Sequence, residues 1–423
     1  MYEALLGVKK DYYYPQERIV IQHATAGKTI SLVKELLEFL DIPEYFIIYE
    51  QVSSTDKINF EFSPSHCIYP WINLTIDNIG ELSPCCIFNK KIPNANIAND
   101  NIKDIYHSDY LKNLRKQFLQ GNKPAECSAC WKNEDVGIPS MRQGGKYKFR
   151  DIYYKIDYEK EEFTNLQIFD LKLGNACNLT CNICDRVASS KIAKKDLDNN
   201  VISINDFNAL KKSVAWAESE HFWNQILLAV DNLKYLDIFG GEPLMSKLHF
   251  KFLKKLIELD VAKNIKIDYN TNGTIYSDQF FYDWSHFKEI KLSFSIDDIE
   301  SRFESQRVGA KWKDVCNNIK KFNLLRSDKF VTEVFPTVNT QNVLYIPELL
   351  DWVHTQDFDH IAFNILHYPM QYNILSLSVT DKEIVINKFK KYPHYDICNS
   401  IIKLLENPTN IAESTRQINI NKV

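Results

Sequence analysis

Leu173-Gly174-Asn175-Ala176-Cys177-Asn178-Leu179-Thr180-Cys181-Asn182-Ile183-Cys184-Asp185 is the stretch on which the reading of the chain turns. Three cysteines spaced C-x3-C-x2-C follow a β-rich run, Leu166–Leu173. Three thiolates on one short loop can hold three irons of a [4Fe–4S] cube and leave the fourth without a protein ligand. An open iron is a place for a small molecule to bind. A zinc site or three unrelated buried thiols compete with this reading while the spacing stands alone.

Outward from the triplet, short β-rich runs alternate with helical patterns. The expected strands are Leu166–Leu173, Tyr235–Phe239, Ile265–Tyr269, Ile290–Ile296, Val331–Val338 and His360–Leu366. Between them lie apolar stripes such as Phe222, Ile226 and Val230, then Leu248, Phe252, Leu256 and Leu259, then Trp312, Val315, Ile319 and Phe322. Strand–helix repetition implies parallel strands joined by crossovers, and six such units suit an open α/β sheet, a partial (β/α)6 TIM-like barrel, better than a closed eight-unit one. Chemistry gathers at the carboxyl ends of such strands, which is where the triplet lies.

At this point the sequence resembles the radical S-adenosylmethionine (SAM) superfamily, over about residues 166–366. The superfamily's signature is this triplet after the first strand of a partial barrel. The resemblance implies that Cys177, Cys181 and Cys184 carry the SAM-binding [4Fe–4S] cluster. Tyr235-Leu236-Asp237-Ile238-Phe239-Gly240-Gly241-Glu242-Pro243 matches the GGEP motif after strand two, whose backbone and Glu receive the SAM amino group. Paired glycines let backbone come close to a ligand, and Glu242 supplies an acceptor for an ammonium. Read alone, Gly240 to Pro243 would also serve as an ordinary turn. Asn272, in Asn270-Thr271-Asn272-Gly273, resembles the polar turn after strand three, although Asn-Gly is also a common turn signal. Period two on strand four puts Ser293, Ser295 and Asp297 on one face. The resemblance assigns Ser295 and Asp297 to the SAM ribose. Arg307 would pair with the SAM carboxylate as a fork, or stand solvated at the surface. The residue before the last cysteine, often aromatic in the superfamily, is here Ile183, which offers the adenine only apolar and backbone contacts.

A second group of cysteines precedes the barrel: Cys67, then Gly80-x4-Cys85, then Cys127-Ser128-Ala129-Cys130. The group resembles the twitch/SPASM auxiliary-cluster modules of radical SAM enzymes. Tyr69-Pro70-Trp71, Pro84-Cys85-Cys86, Leu114-Arg115-Lys116-Gln117-Phe118 and Cys130-Trp131-Lys132-Asn133-Glu134 extend the match. Such modules usually follow the barrel, so their order here is a departure. The resemblance implies an auxiliary [4Fe–4S] cluster on Cys67, Cys85, Cys127 and Cys130, with no open iron. A four-cysteine zinc site is the competing reading of the same spacing. Cys86 could replace Cys85, but the G-x4-C spacing selects Cys85. Cys316 and Cys398 fall in helical patterns, as small core residues do. Glu134, Ser140 and Arg142 either face the module's cavity or cap its loops.

The chain has 423 residues, with 51 Lys+Arg against 55 Asp+Glu. The balance gives no strong nucleic-acid signal. No run reaches the ~18–20 apolar residues of a membrane span, and no signal-peptide layout opens the chain, so a soluble, cytoplasmic protein without membrane partners is expected. Reduced thiols in that compartment favour metal ligation over disulfides for the ten cysteines. The expected domains are 1–60, a β-α-β unit (Arg18–Gln22, Ile30–Leu40, Glu44–Gln51); 61–160, a loop-rich auxiliary cluster module with one clear helix, Ile102–Gln120; 161–372, the barrel; and 373–423, a helical extension through Thr380–Tyr392 and Cys398–Glu406.

The implied activity is reductive cleavage of SAM to methionine and a 5′-deoxyadenosyl radical, which abstracts hydrogen from a substrate. The auxiliary cluster would take part in electron transfer, giving an oxidised product. A redox-neutral epimerase or isomerase is the alternative, and a non-catalytic zinc or iron–sulfur scaffold is the alternative of another class. A zinc-dependent hydrolase is disfavoured, because the key loop lacks a His or carboxylate pattern for catalytic zinc. The implied partners are SAM, a flavodoxin- or ferredoxin-type electron donor, and a peptide, protein or small sugar-type substrate. No residue in the sequence separates these substrate classes.

Overall fold

In the computed structural model, residues 64–135 and 140–406 are described, with four further short strands at Lys9–Lys10, Ile19–Val20, Ile47–Ile48 and Ile418–Ile420. Contacts divide the chain near residue 62 into a small N-terminal unit and a large one. In the small unit Lys9–Lys10 pairs antiparallel with Ile19–Val20, which pairs parallel with Ile47–Ile48. The helix expected over Ile30–Leu40 lies outside the described residues.

The large unit is built on one sheet. Its strands are β1 (Asn73–Ile76), β2 (Leu82–Ser83), β3 (Ile168–Lys172), β4 (Tyr235–Phe239), β5 (Lys266–Thr271), β6 (Glu289–Phe294), β7 (Phe330–Val334), β8 (Thr337–Val338) and β9 (His360–Ile365). They lie in the order β8-β9-β7-β6-β5-β4-β3-β1-β2, each pairing along this path parallel except the β1–β2 hairpin, and the short strand Ile418–Ile420 pairs with β9 off the path. The order has two free ends, so the sheet is an open partial barrel.

Alternation along the strands separates two faces. Leu236 and Ile238 on β4, Ile267 and Tyr269 on β5, and Ile290, Leu292 and Phe294 on β6 are buried outward. The Tyr269 ring packs on Trp284 and the Phe294 ring on Phe322. These rings come from the crossover helices Asp278–Trp284 and Trp312–Asn323. The crossover helix Lys247–Glu258 buries His249, Phe252, Leu253 and Leu256. Each large apolar side chain fully buried in this way contributes about 1.5–3 kcal/mol.

Two expected elements are divided. Val331–Val338 is interrupted at Phe335-Pro336, where proline cannot donate to the ladder, into β7 and β8. Ile102–Gln120 breaks at His107-Ser108 into Ile102–Tyr106 and Asp109–Leu119, because the Ser108 side chain accepts from the Leu111 backbone and caps a new helix. The six expected strands are also joined by a seventh parallel one. β1 runs beside β3 in register from Asn73↔Ile168 to Ile76↔Leu171. The cysteine-rich segment is therefore a crossover of the same sheet, with its own buried residues Trp71, Ile72, Leu74 and Ile76. Arg115, almost fully buried, donates from Nε to the Pro70 carbonyl at 2.9 Å and lies over the Tyr106 ring. No helix among the described residues is long and apolar enough to cross a membrane.

Two candidate iron–sulfur sites

The triplet loop leaves β3 at Leu173 and is fixed by backbone on both sides. Thr180 N–H donates to the Val308 carbonyl at 2.9 Å, and Asn182 N–H to the Gln306 carbonyl at 3.0 Å. Ser190, in the first turn of the helix Ser190–Asp198, receives Cys177 N–H on its hydroxyl at 3.2 Å. Ser189 donates its hydroxyl to the Leu179 carbonyl at 2.7 Å. The three thiols lie within electrostatic reach of one another: Cys177 raises Cys181, and Cys181 and Cys177 both raise Cys184. Burial pushes the Cys177 and Cys181 thiols up, and that of Cys184 up to about 12. The Arg307 guanidinium beside Cys181 works the other way.

The Gly240–Pro243 turn sits directly on this loop. Gly240 and Gly241 have φ of +82° and +59°, conformations that favour glycine. A Cβ on Gly241 would stand 2.5 Å from the Ala176 carbonyl oxygen, and one on Gly240 would stand 2.8 Å from Lys172 Cα. Glu242 N–H donates to the Ala176 carbonyl at 2.7 Å. The close approach that Gly241 permits is to the cysteine loop itself, and that of Gly240 is to the end of β3 from which the loop leaves. Asn78, from the β1–β2 turn, donates its amide to the Gly174 carbonyl and braces the other side.

Glu242 is buried, and its carboxylate accepts from Thr271 Oγ1 at 2.8 Å, Asn272 N–H at 2.7 Å and Leu244 N–H at 3.2 Å. Burial pushes its carboxyl up to about 7. Pro243 is buried and opens a single 3-10 turn. Asn272 donates its side-chain amide to Asn178 in the triplet loop at 3.0 Å and accepts from Thr274. The ends of β4 and β5 and the cysteine loop thus form one hydrogen-bonded rim. Ile183 is half-buried on it.

The period-two reading of strand four ends where β6 ends, at Phe294. Ser293 points to Glu333, donating to Oε1 at 2.7 Å, whereas Ser295 and Asp297 belong to the turn that follows. Ser295 is half-buried. Asp297 is buried, accepting from Arg307 Nε at 2.7 Å and from Thr337 N–H at 2.8 Å. Arg307 is not a solvated surface residue: its side chain is 12 % exposed, and Asp297 with Cys181 and Cys184 raises its already high pKa despite burial.

In the second group, Cys67, Cys85, Cys127 and Cys130 line one cavity of about 320 Å³, its open mouth included, with Tyr69, Phe88, Phe118, Met141 and Arg142 among its other walls. Burial, reinforced by neighbouring thiols, pushes Cys67, Cys85 and Cys127 up, and burial first of all raises Cys130. Cys86 lies off this cavity, with its sulfur 3.7 Å from Met141 Sδ. Arg142 is held by Glu134, from Nε at 3.0 Å, and by the His66 carbonyl, from Nη1 at 2.8 Å; the Ser140 hydroxyl also donates to Glu134. Of the three polar residues singled out in the sequence, Arg142 faces the cavity, and Glu134 and Ser140 orient it. The guanidinium also lies 5.0 Å from the Trp131 ring centroid. Cys316 is half-buried on its helix, and Cys398 is fully buried in the helix Asp396–Glu406.

The donor chemistry fits iron–sulfur clusters at both places: three thiols on one loop at a strand end, and four thiols around one cavity with a cation at its wall. Among the described residues, no three His, Cys, Asp or Glu side chains close on one point as ligands of a single metal ion do.

The sequence reading missed the row of side chains on the inner face of the sheet. Thr75, Asp170, Asp237, Asp268 and Lys291 are successive Cα partners across β1, β3, β4, β5 and β6. Burial pushes Asp170 up to about 7, with Asp237 beside it adding to the shift, and burial raises Asp237 as well. Burial also works against the charge on Asp268, but Lys291 and Lys148 together hold its carboxyl low. A carboxylate flanked by apolar residues in three successive strands was the available signal.

Residues 67–131 match the family SPASM, described as an iron–sulfur cluster-binding domain. No curated protein matches the chain. Among solved structures, the chain is similar to anSMEcpe with bound AdoMet and Cp18Cys peptide, at 16 % identity over 54 % of this chain and 60 % of that one, with a TM-score of 0.34. It is similar to SuiB of Streptococcus suis, at 15 % identity over 82 % of this chain and 69 % of that one, TM-score 0.36. It is also similar to SuiB bound to its precursor peptide SuiA, at 16 % identity over 63 % and 59 %, TM-score 0.37. The chain spans about 60 % of the first of these structures.

Proposed function

We propose that the protein is a radical SAM enzyme with an auxiliary iron–sulfur cluster, acting on a peptide, protein side chain or small sugar-type metabolite. The observation that carries the reading is the contact of two motifs distant in sequence: Gly241 lies against Ala176, and Glu242 N–H donates to the same residue, at the carboxyl ends of adjacent parallel strands. Cys177, Cys181 and Cys184 would hold the first [4Fe–4S] cluster, and Cys67, Cys85, Cys127 and Cys130 the auxiliary one. Held by those three thiolates, a reduced cluster would supply the electron for cleavage of SAM to methionine and a 5′-deoxyadenosyl radical, the species that would take hydrogen from substrate.

The protein's own groups then have distinct parts. Glu242 keeps acceptor capacity at the rim for the SAM ammonium, because each carboxylate oxygen has two lone pairs and its present donors use three of the four. Arg307, oriented through Nε by Asp297 and hydrogen-bonded to the Cys181 thiol, would present its guanidinium fork to the SAM carboxylate beside the cysteine loop. Ser295, half-buried, offers a hydroxyl at the same strand ends, and Ile183 an apolar wall. Arg142 neutralises part of the charge that four thiolates concentrate in the auxiliary cavity, which suits a cluster that accepts an electron and favours net substrate oxidation. An external flavodoxin- or ferredoxin-type donor would reduce the first cluster.

The test is anaerobic incubation of the cluster-loaded protein with SAM and dithionite, with 5′-deoxyadenosine measured by chromatography. Formation of deoxyadenosine that disappears in Cys177→Ala, Cys181→Ala and Cys184→Ala supports the reading. None from the loaded wild-type protein removes it, and a redox-neutral product removes the oxidation.

A further inference from the structure

The inner face of the open barrel carries a row of acids that its own cations pair unevenly. Asp170, Asp237 and Asp268 stand side by side on β3, β4 and β5, and Glu333 on β7 faces the same way through Ser293. The outward neighbours Tyr269 and Phe294 pack on the crossover helices, so the carboxylates point to the opposite side, into the lumen.

Two of these acids are accounted for. Lys291 Nζ lies 3.5 Å from both Asp268 Oδ2 and Glu333 Oε1, and Lys148 Nζ lies 3.9 Å from Asp268. The other two are paired less completely: Lys172 near Asp170 and Lys148 near Asp237 work against the upward push of burial without forming an ion pair with either among the described residues. Asp170 receives the Thr75 hydroxyl on Oδ2 at 2.9 Å and has the Cys86 thiol beside it as a weak donor, but its Oδ1 has no partner within hydrogen-bond distance, and the residue is only 5 % exposed. Asp237 Oδ1, on the neighbouring strand at the same level, is likewise out of solvent and without a partner. A buried carboxylate oxygen left unpaired is costly, and native structures keep such groups where a ligand or proton completes them.

The surroundings select among ligands. Phe239 and Tyr235, two positions along β4 on either side of Asp237, put aromatic rings on the same face above and below the pair. Lysines already use these rings: Lys172 Nζ lies 5.7 Å from the Phe239 centroid, and Lys148 Nζ lies 5.7 Å from that of Tyr235. An aliphatic stem could descend from the carboxyl ends of the strands past Phe239 and deliver a cation between the two free oxygens. A primary ammonium donates three hydrogen bonds from one point, enough to reach both, whereas a single hydroxyl donates one.

We propose that Asp170 and Asp237 form a binding site for a primary ammonium group carried on an aliphatic stem. The site rests on the proposed function only in making the bearer of that ammonium the substrate; its chemistry is that of a lysine side chain in a peptide, or of a free small amine. Asp268 and Lys291 are positioning residues that hold the carboxylate row level.

The test uses the full chain, purified anaerobically with its clusters, and calorimetric titration without SAM or reductant. Four probes separate charge from shape and peptide from free amine: the capped peptide Ala-Ala-Lys-Ala-Ala, its norleucine counterpart, n-butylamine and n-butanol. The expected result is binding of at least one amine ten-fold or more tighter than its neutral counterpart, with the difference abolished in Asp237→Asn and in Asp170→Asn. Preference for the peptide assigns the lysine source, and preference for butylamine the free amine. Equal binding of charged and neutral probes by the wild-type protein overturns the proposal without recourse to any variant. So does an amine preference that survives in both variants. Because no SAM turnover is read, failure here is distinguishable from failure to form deoxyadenosine.

Discussion

Replacing Gly241 by alanine puts a methyl group where the cysteine loop already stands. The new Cβ would lie 2.5 Å from the Ala176 carbonyl oxygen and 3.1 Å from that residue's nitrogen and carbonyl carbon, all backbone atoms. An ordinary contact needs about 3.4 Å or more, so the loop has to move by nearly 1 Å, next to Cys177. The φ of +59° adds about 1–2 kcal/mol for any residue with a Cβ. Overpacking against fixed backbone adds about 1–3 kcal/mol, so Gly241→Ala should cost about 2–5 kcal/mol in total. Gly144, inside the helix Met141–Lys148, is the control, because nothing lies within 4 Å of its would-be Cβ. There alanine should stabilise the protein by about 0.5–1 kcal/mol through helix propensity. The two substitutions are the same chemically and opposite in predicted sign. Urea unfolding of both variants, read as midpoints at constant slope, together with iron retained against a chelator, measures the difference. A Gly241→Ala protein as stable as Gly144→Ala, or one that holds iron on the triplet as firmly as wild type, would refute the claim that the glycine turn shapes the cysteine loop.

Other outcomes follow from the same geometry. Glu242 and Asp170, each pushed up to about 7 by burial, hold their protons in the folded chain to higher pH than in the unfolded chain. Stability should therefore fall as pH rises from about 4.5 to 7, by up to about 1.4 kcal/mol per pH unit for each group, and Glu242→Gln should flatten the slope measured by urea midpoints. Arg142→Ala leaves Glu134, whose side chain is 14 % exposed, with the Ser140 hydroxyl but without its cationic partner, and should cost about 3–5 kcal/mol. Glu134→Gln combined with Arg142→Ala should cost less than Arg142→Ala alone, and a double-mutant cycle reads that coupling. Arg307→Lys keeps the charge but loses the fork, so SAM affinity measured by equilibrium dialysis should drop about ten-fold or more while iron content stays at the wild-type level.

Much of the barrel was legible because the strands are runs rich in β-branched and aromatic residues, β3, β4 and β5 being closed by glycine or by an asparagine turn, and the helices between bury residues three and four apart. The four-residue β1 was hidden. Asn73-Leu74-Thr75-Ile76 follows a proline and a tryptophan in a segment dominated by cysteine and asparagine, and only its register beside β3 makes it a strand. The break at Ser108 depends on one side-chain hydrogen bond, which competes locally with helix continuation and leaves no mark on the apolar period. At the candidate site, the cysteines could be read from spacing, and residue 242 from its motif. Thr271 at the end of β5, and Asn178 and Asn78 on two separate loops, bind the motifs to one another as single polar residues, and sequence does not say which of these segments meet. Phe169-Asp170-Leu171, Leu236-Asp237-Ile238 and Ile267-Asp268-Tyr269 repeat one pattern at one depth, visible once the strands are aligned by register.

The most direct measurement is iron and acid-labile sulfide per chain in anaerobically purified protein, wild type beside the triple variant Cys177→Ala, Cys181→Ala, Cys184→Ala, with zinc counted in the same samples. About eight irons falling to about four, with zinc absent from both, is the expected result for one cube on the triplet and another on the four-cysteine cavity. An iron content unchanged by the triple substitution, or stoichiometric zinc on the triplet in wild type, would contradict it.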